Sequence, residues 1–410
     1  MRYIPLIKIY HENHEDGRAI YERRFSDLCT FHPDIEIGGH SAFFCLTPEL
    51  ASSLIKIYKM DKEVQKLRDR LPDAAIDQFA MRCLIDEIVL TNNIEGVSST
   101  RRDIENVLND LGKKDPRKRF YGLVQKYQAL QKNETLSLET CADIRSVYDD
   151  LFLSEIQEND PKNVPDGEIF RKGPVFVMSP AGREIHRGLF PEEKILFHMG
   201  KALEFLRDVN CETLIRISVF HYLLGYIHPF YDGNGRLSRF ISSYLLSHEL
   251  DPLVGYRISY TIKQNIRDYY DAFKICNDPR NFGDLTPFVS MFISIIRQSM
   301  EQLLKALRKR HVRLNEYAKK IRGIPCLQSG KLDQLCFLLV QAQLFSERGI
   351  PTKDLLSELG FSRATLSARL RVFREKELLL SRKVGREWFY GIRLEELDTL
   401  AALLESQIDG

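Results

Sequence analysis

Apolar positions recur along most of this chain at helical rather than strand spacing. Thr47 suits an N-cap and Pro48 a first helical position, and Leu50, Leu54, Ile55 and Tyr58 then keep that spacing. Phe79, Met81, Leu84, Ile85, Ile88, Val89 and Leu90 mark a second helix over about 73–94. Helices are read in the same way over 140–153, 192–205, 214–227, 240–246, 261–277 and 288–296. Leu303, Leu304, Leu307 and Leu314, interleaved with Lys305, Arg308, Lys309, Arg310 and Arg313, predict a long basic connecting helix that ends near Gly323-Ile324-Pro325. Two stretches break the period. Residues 1 to about 45 mix short apolar runs with turn formers and read as an irregular or partly β leader. Residues 167–180 carry Val and Phe with Gly and Pro on both sides, the pattern of a short hairpin. From Lys331 the order is helix, helix (352–359), tight turn, helix (363–376) and a hairpin turning at Val384-Gly385-Arg386. The expected fold class is mainly α, with a β-hairpin in the middle and a separate C-terminal domain.

Composition bounds the class without choosing a function. A chain of 410 residues holds two or three domains, and 44% apolar with 28% charged residues is ordinary for a globular protein. A formal charge of +2 gives no global case for nucleic acid or membrane, so any basic surface must be local. The eight cysteines are scattered without a C-x-x-C pair, which suits reduced thiols rather than a disulfide framework or zinc site. The first residues have too short an apolar run for a signal peptide. Ile217–Tyr231, the longest run free of Asp, Glu, Lys and Arg, falls short of the ~20 apolar residues of a membrane span. A cytoplasmic protein without a membrane partner is expected.

Chemistry concentrates in His228-Pro229-Phe230-Tyr231-Asp232-Gly233-Asn234-Gly235-Arg236-Leu237-Ser238-Arg239, between two apolar helical runs. Gly233 and Gly235 allow positive φ and close backbone approach. Backbone N–H groups at the start of the second helix favour negative charge. Arg236 and Arg239, three residues apart, can both fork onto phosphate oxygens. Asp232 supplies a hard oxygen of the kind Mg²⁺ takes alongside substrate phosphates, and His228 has the pKa range of a general base. This stretch resembles the Fic family, whose signature H-P-F-x-[D/E]-G-N-G-R-x-x-R it matches at every defined position. The resemblance implies a protein adenylyltransferase that moves AMP from ATP to a Ser, Thr or Tyr hydroxyl of a target protein. It implies His228 as the catalytic base and Asp232 as the Mg²⁺ ligand. The nucleotide would lie against Asp232, Gly233, Asn234, Gly235, Arg236, Leu237, Ser238 and Arg239. Glycine at 235 favours adenylylation, since family members acting as kinases carry lysine there.

Three further segments gain meaning from that resemblance. Thr91-Asn92-Asn93-Ile94-Glu95-Gly96 matches the inhibitory-helix motif [S/T]-x-x-x-E-[G/N], in which the glutamate pairs with the second arginine, here Arg239. A glutamate in the last turn lies on the wrong side of the helix dipole and needs such a partner. The Coulomb term is about 4 kcal/mol at ~4 Å before desolvation, enough to hold Arg239 and small enough to reverse. The hairpin at 167–180 corresponds to a flap that pairs with a target peptide, placing Val177, Met178 and Ser179 near the nucleotide. A tyrosine, Tyr269 or Tyr270, and Asn277 would line the adenine pocket; Tyr270 and Asn277 share a helix face. The tail resembles a winged helix-turn-helix, with Arg363, Thr365, Ser367 and Arg371 on its third helix and Arg382, Lys383 and Arg386 in the wing. Such a surface suits DNA or protein docking. The expected organisation is an N-terminal segment with the inhibitory helix (1–110), the catalytic core (111–300), a linker helix (301–330), the winged helix (331–395) and a tail (396–410). Two alternatives stand beside the transferase: a DNA-binding regulator whose core senses nucleotide, and an enzyme that removes AMP. A homodimer is compatible with either.

Overall fold

The computed structural model describes residues 3–113, 118–132, 134–178, 184–385 and 387–406. The chain is mainly helical, with a few short strands. It divides into two compact units: 1–62 with 84–302, and 63–83 with 303–410.

The leader is partly β, as expected, over residues 30–45, but it opens on two helices that were not expected. α1 (Leu6–Glu12) and α2 (His14–Phe25) meet at Asn13, whose side chain accepts the Glu15 N–H and caps α2. Neither helix has an apolar face long enough to announce itself. The strands that follow, β1 (Thr30–Phe31), β2 (Glu36–Ile37), β3 (His40–Ser41) and β4 (Phe44–Cys45), form two antiparallel pairs, β1 with β4 and β2 with β3. Buried Asp284 ties the leader down, accepting from Tyr3 Oη and Thr286 N and facing Arg24 at 3.7 Å.

α3 (Pro48–Arg68) and α4 (Asp73–Ile94) take the expected course. α5 (Arg101–Asp110) opens on a reciprocal capping box of Thr100 and Asp103. α6 (Tyr121–Gln131) and α7 (Cys141–Tyr148) follow, α7 on a second capping box of Thr140 and Asp143. A π-turn over Asp149–Leu153 leads into α8 (Ser154–Asn159). The hairpin consists of β5 (Phe176–Met178) and β6 (Glu184–Arg187), later than the stretch 167–180 suggested, with a bulge between Val177 and Met178. α9 (Glu192–Leu206), α10 (Thr213–Ile227) and α11 (Asn234–Glu249) pack together. α10 is buried almost all round, as its unbroken apolar sequence requires.

α12 (Pro252–Gly255) precedes two helices where one was expected over 261–277. α13 (Ile258–Gln264) and α14 (Ile266–Asn277) break at Asn265, whose amide donates to the Thr261 carbonyl at 2.9 Å and competes with the helical ladder. Conversely, α15 (Thr286–Arg322) is one helix of 37 residues. No Gly or Pro falls between Phe288 and Arg322 to divide the expected pair.

The second unit continues with α16 (Leu332–Phe345), β7 (Ile350–Pro351), α17 (Thr352–Leu359) and α18 (Arg363–Glu375). β8 (Leu379–Val384), β9 (Glu387–Ile392) and α19 (Leu394–Ser406) complete it. Its sheet has the order β7-β9-β8. Gly360, at φ 65°, ends α17, and Ser362 caps α18 by accepting the Thr365 N–H. Asp398 on α19 binds Tyr317 and Lys320 of α15.

Candidate active site

α10 ends at His228 in the left-handed conformation (φ 54°, ψ 62°), uncommon for a residue with a Cβ. Arg171, fully buried, holds it there. Its Nε and Nη2 donate to the His228 carbonyl at 2.9 and 2.8 Å, Nη2 also to Leu189 O, and Nη1 to Gly173 O. Asn234 staples the loop from inside. Its Oδ1 accepts the Phe230 N–H at 2.9 Å and its Nδ2 donates to the Phe230 carbonyl at 2.8 Å. Phe230 is fully buried and stacks on Tyr148 at 3.6 Å, and Tyr148 Oη donates to the Asp232 carbonyl. Phe230 anchors the loop.

His228 Nδ1 lies 3.3 Å from the Gly225 carbonyl, which can only accept. The neutral ring therefore carries its proton on Nδ1 and leaves the Nε2 lone pair free. Burial lowers the ring's pKa to about 4, and His186 adds to the effect, so His228 is an uncharged base at neutral pH.

The N–H groups of Asn234, Gly235 and Arg236 precede the first bond of α11, Leu237 N–H to Gly233 O, and form an anion-binding terminus. Gly233 supplies the left-handed N-cap at φ 82°. Gly235 is helical and leaves room for the Glu95 carboxylate instead, since a Cβ there would lie 2.1 Å from Glu95 Oε1. That carboxylate lies at the start of α11 and 2.8 Å from Arg239 Nη2. The start of one helix and a guanidinium thus compensate an acidic side chain at the end of another. Arg239, almost wholly buried, also donates to Thr91 Oγ1 and O. Burial lowers its pKa, but Glu95 together with Tyr269 and Tyr270 outweighs this and the net shift is upward. Arg236 faces two carboxylates, Glu155 and Asp232, at 3.4 Å each, and its buried Nε has no hydrogen-bond partner among the described residues. Asp232 is half-exposed, with one oxygen on the Gly233 N–H.

The remaining candidates divide by position. Leu237 is fully buried, and Ser238 Oγ donates to the His221 carbonyl, so both side chains lie on the core side of α11. Tyr269 is buried, its Oη 2.7 Å from His221 Nε2, while Tyr270 is half-exposed and faces Glu95. Asn277 accepts from Tyr222 Oη at 2.7 Å and lies 3.2 Å from His186 Nδ1 on β6. Val177 is half-buried in the hairpin, the course of Met178 is described for its backbone alone, and Ser179 and Arg386 lie outside the described residues. His186, Tyr222 and Glu155 were not foreseen. The last contacts Arg236 across 81 positions, a distance at which no local pattern signals a pair.

A Fic/DOC family model matches residues 140–246. Over 141 residues the chain is 36% identical to the protein adenylyltransferase Fic of Aedes aegypti, covering 34% of this chain and 26% of that protein. The Drosophila melanogaster protein of the same name is 36% identical over 144 residues, again 34% of this chain and 26% of the relative. The match thus spans about a quarter of the length of these relatives. The crystal structure of a Fic family protein from Desulfovibrio desulfuricans G20 superposes with a TM-score of 0.52 at 19% identity. It covers 85% of this chain and 97% of that one, a likeness of fold.

Proposed function

From the premise that residues 140–246 form a Fic/DOC family domain, we propose that this protein is a nucleotidyltransferase that moves AMP from ATP to a hydroxyl of a target protein. The observation that carries this reading is the conjunction of an uncharged His228 with a free Nε2 and a helix N-terminus flanked by Arg236 and Arg239. The target's O–H gives its proton to His228 Nε2 as its oxygen bonds the α-phosphorus, and the bond from that phosphorus to the β-bridging oxygen breaks, releasing pyrophosphate. The Asn234, Gly235 and Arg236 amides stabilise the α-phosphate, and Arg236 and Arg239 hold the outer phosphates. Asn234's own side chain is spent on the loop. Tyr270 and Asn277 flank the adenine, and Val177 lies on the hairpin that receives the target backbone by strand addition.

The residues present suit Mg²⁺. Asp232 offers a half-exposed carboxylate, the hard oxygen that an ion shared with substrate phosphates takes from protein. Bound there, Mg²⁺ would offset charge on the leaving pyrophosphate.

The resting contact of Glu95 with Arg239 keeps the γ-phosphate from seating, so the enzyme is auto-inhibited. Incubation with α- or γ-labelled ATP tests the whole reading. Label should enter protein from the α position alone, rise in Glu95→Gly and vanish in His228→Ala. Label from γ, or none in Glu95→Gly, would overturn it.

A second reading concerns the C-terminal unit, a winged helix on this account. Arg363, Thr365, Ser367 and Arg371 are exposed on α18, and Arg382 and Lys383 on β8, which favours contact with DNA phosphates.

A further inference from the structure

α4 and α11 meet along a polar seam that reaches well beyond Glu95. Glu87 and Thr91 on α4 and Glu95 just past its end follow one another at four-residue steps, as do Gly235, Arg239 and Ser243 on α11. Glu95 lies against Gly235 and Arg239, Thr91 takes two bonds from Arg239, and Glu87 Oε1 lies 3.4 Å from Ser243 Oγ. The two helices therefore run antiparallel here, in matched register. Glu87 is wholly buried and also binds α13: the Ser259 N–H donates to both carboxylate oxygens at 3.1 and 2.9 Å, and its hydroxyl donates as well. Burying a carboxylate is costly, and the nucleotide-binding machinery does not use this one.

We propose that Glu87 is a positioning residue for the Glu95 contact: by tying α4 to Ser243 and Ser259, it fixes the register in which the Glu95 carboxylate meets Arg239. This rests on the reading in which Glu95 restrains the nucleotide. A helix held by Glu95 and Thr91 alone could slide or fray at its end. The deeper anchor makes their position definite.

The anchor also responds to pH. Besides the Ser243 and Ser259 hydroxyls, Glu87 faces Arg239 from α11 and Tyr127 from α6. Burial lifts its pKa from 4.5 to about 7, against the downward pull of Ser259, Arg239 and Ser243. The docked helix thus binds a proton more tightly than an undocked one. Docking is favoured at low pH and weakens as pH climbs from about 4.5 to 7. His228 stays neutral over most of that window.

The test uses the full chain and α-labelled ATP from pH 5.5 to 8, comparing native protein, Glu95→Gly, Glu87→Ala, the Glu87→Ala, Glu95→Gly double variant and Glu87→Gln. Alanine removes both the bonds to Ser243 and Ser259 and the group that titrates, whereas glutamine carries the charge of the protonated carboxyl. Glu87→Ala should raise labelling roughly tenfold, add nothing to Glu95→Gly, and flatten the rise with pH seen in native protein. Glu87→Gln should flatten the profile at its low-pH level. Native labelling in Glu87→Ala alongside a raised Glu95→Gly, or additive effects in the double variant, would overturn this inference and leave the restraint by Glu95 standing. An unchanged Glu95→Gly brings down both. Should Glu87→Ala fail to fold, Glu87→Gln decides, and a profile that still rises with pH as in native protein is decisive against the proposal.

Discussion

A buried imidazole and a solvated one answer differently to acid. His228 titrates near 4, so with the restraint removed by Glu95→Gly its contribution to the labelling rate should stay level from pH 8 down to about 5. A Glu95→Gly profile, less that of the Glu95→Gly, His228→Ala double variant, already failing at pH 6.5 would refute this. The stability consequence has a definite sign. The folded ring binds fewer protons than the unfolded one between about 4 and 6.5, so folding stability from this group is complete above 6.5 and is lost as pH falls toward 4. Arg171 is the other residue on which the loop turns. Its fork meets three carbonyls, which a lysine's single ammonium cannot reproduce. Arg171→Lys should lower stability by roughly 1–3 kcal/mol and labelling by a larger factor, as read by thermal melting and α-label incorporation.

Among the elements, the turn from α10 into α11 is the most demanding. Gly233→Ala must hold a Cβ at φ 82°, 3.3 Å from Phe152 and Tyr148, and should cost about 1–2 kcal/mol in denaturant titration. Most helices were legible because an apolar period of 3.6 survives over several turns. The two opening helices were not, since α1 and α2 are short and their boundary depends on one asparagine side chain. Nor was the break at Asn265, a competition between side chain and ladder for one carbonyl. Much of the candidate site could be read because its loop is contiguous in sequence. Which side chains meet Glu95 was harder: positions 235 and 239 lie one turn apart on one face of α11, whereas Leu237 and Ser238 point to the core. Arg171, His186 and Glu155 come from distant segments, and only folding brings them to the loop.

For the molecule as a whole, a formal charge of +2 conceals local specialisation. If the C-terminal unit contacts DNA, affinity of the full chain should fall steeply with salt, and Arg382→Ala or Lys383→Ala should each reduce the log–log slope by about one. A salt-insensitive complex, or none, in mobility-shift titration would favour protein docking instead. The candidate site shows the same economy of charge. Both of its guanidinium groups already face internal carboxylates, Arg239 with Glu95 and Arg236 with Glu155 and Asp232. An incoming anion therefore gains either guanidinium only by displacing a carboxylate that already neutralises it, and its binding is an exchange of partners rather than the capture of a free charge.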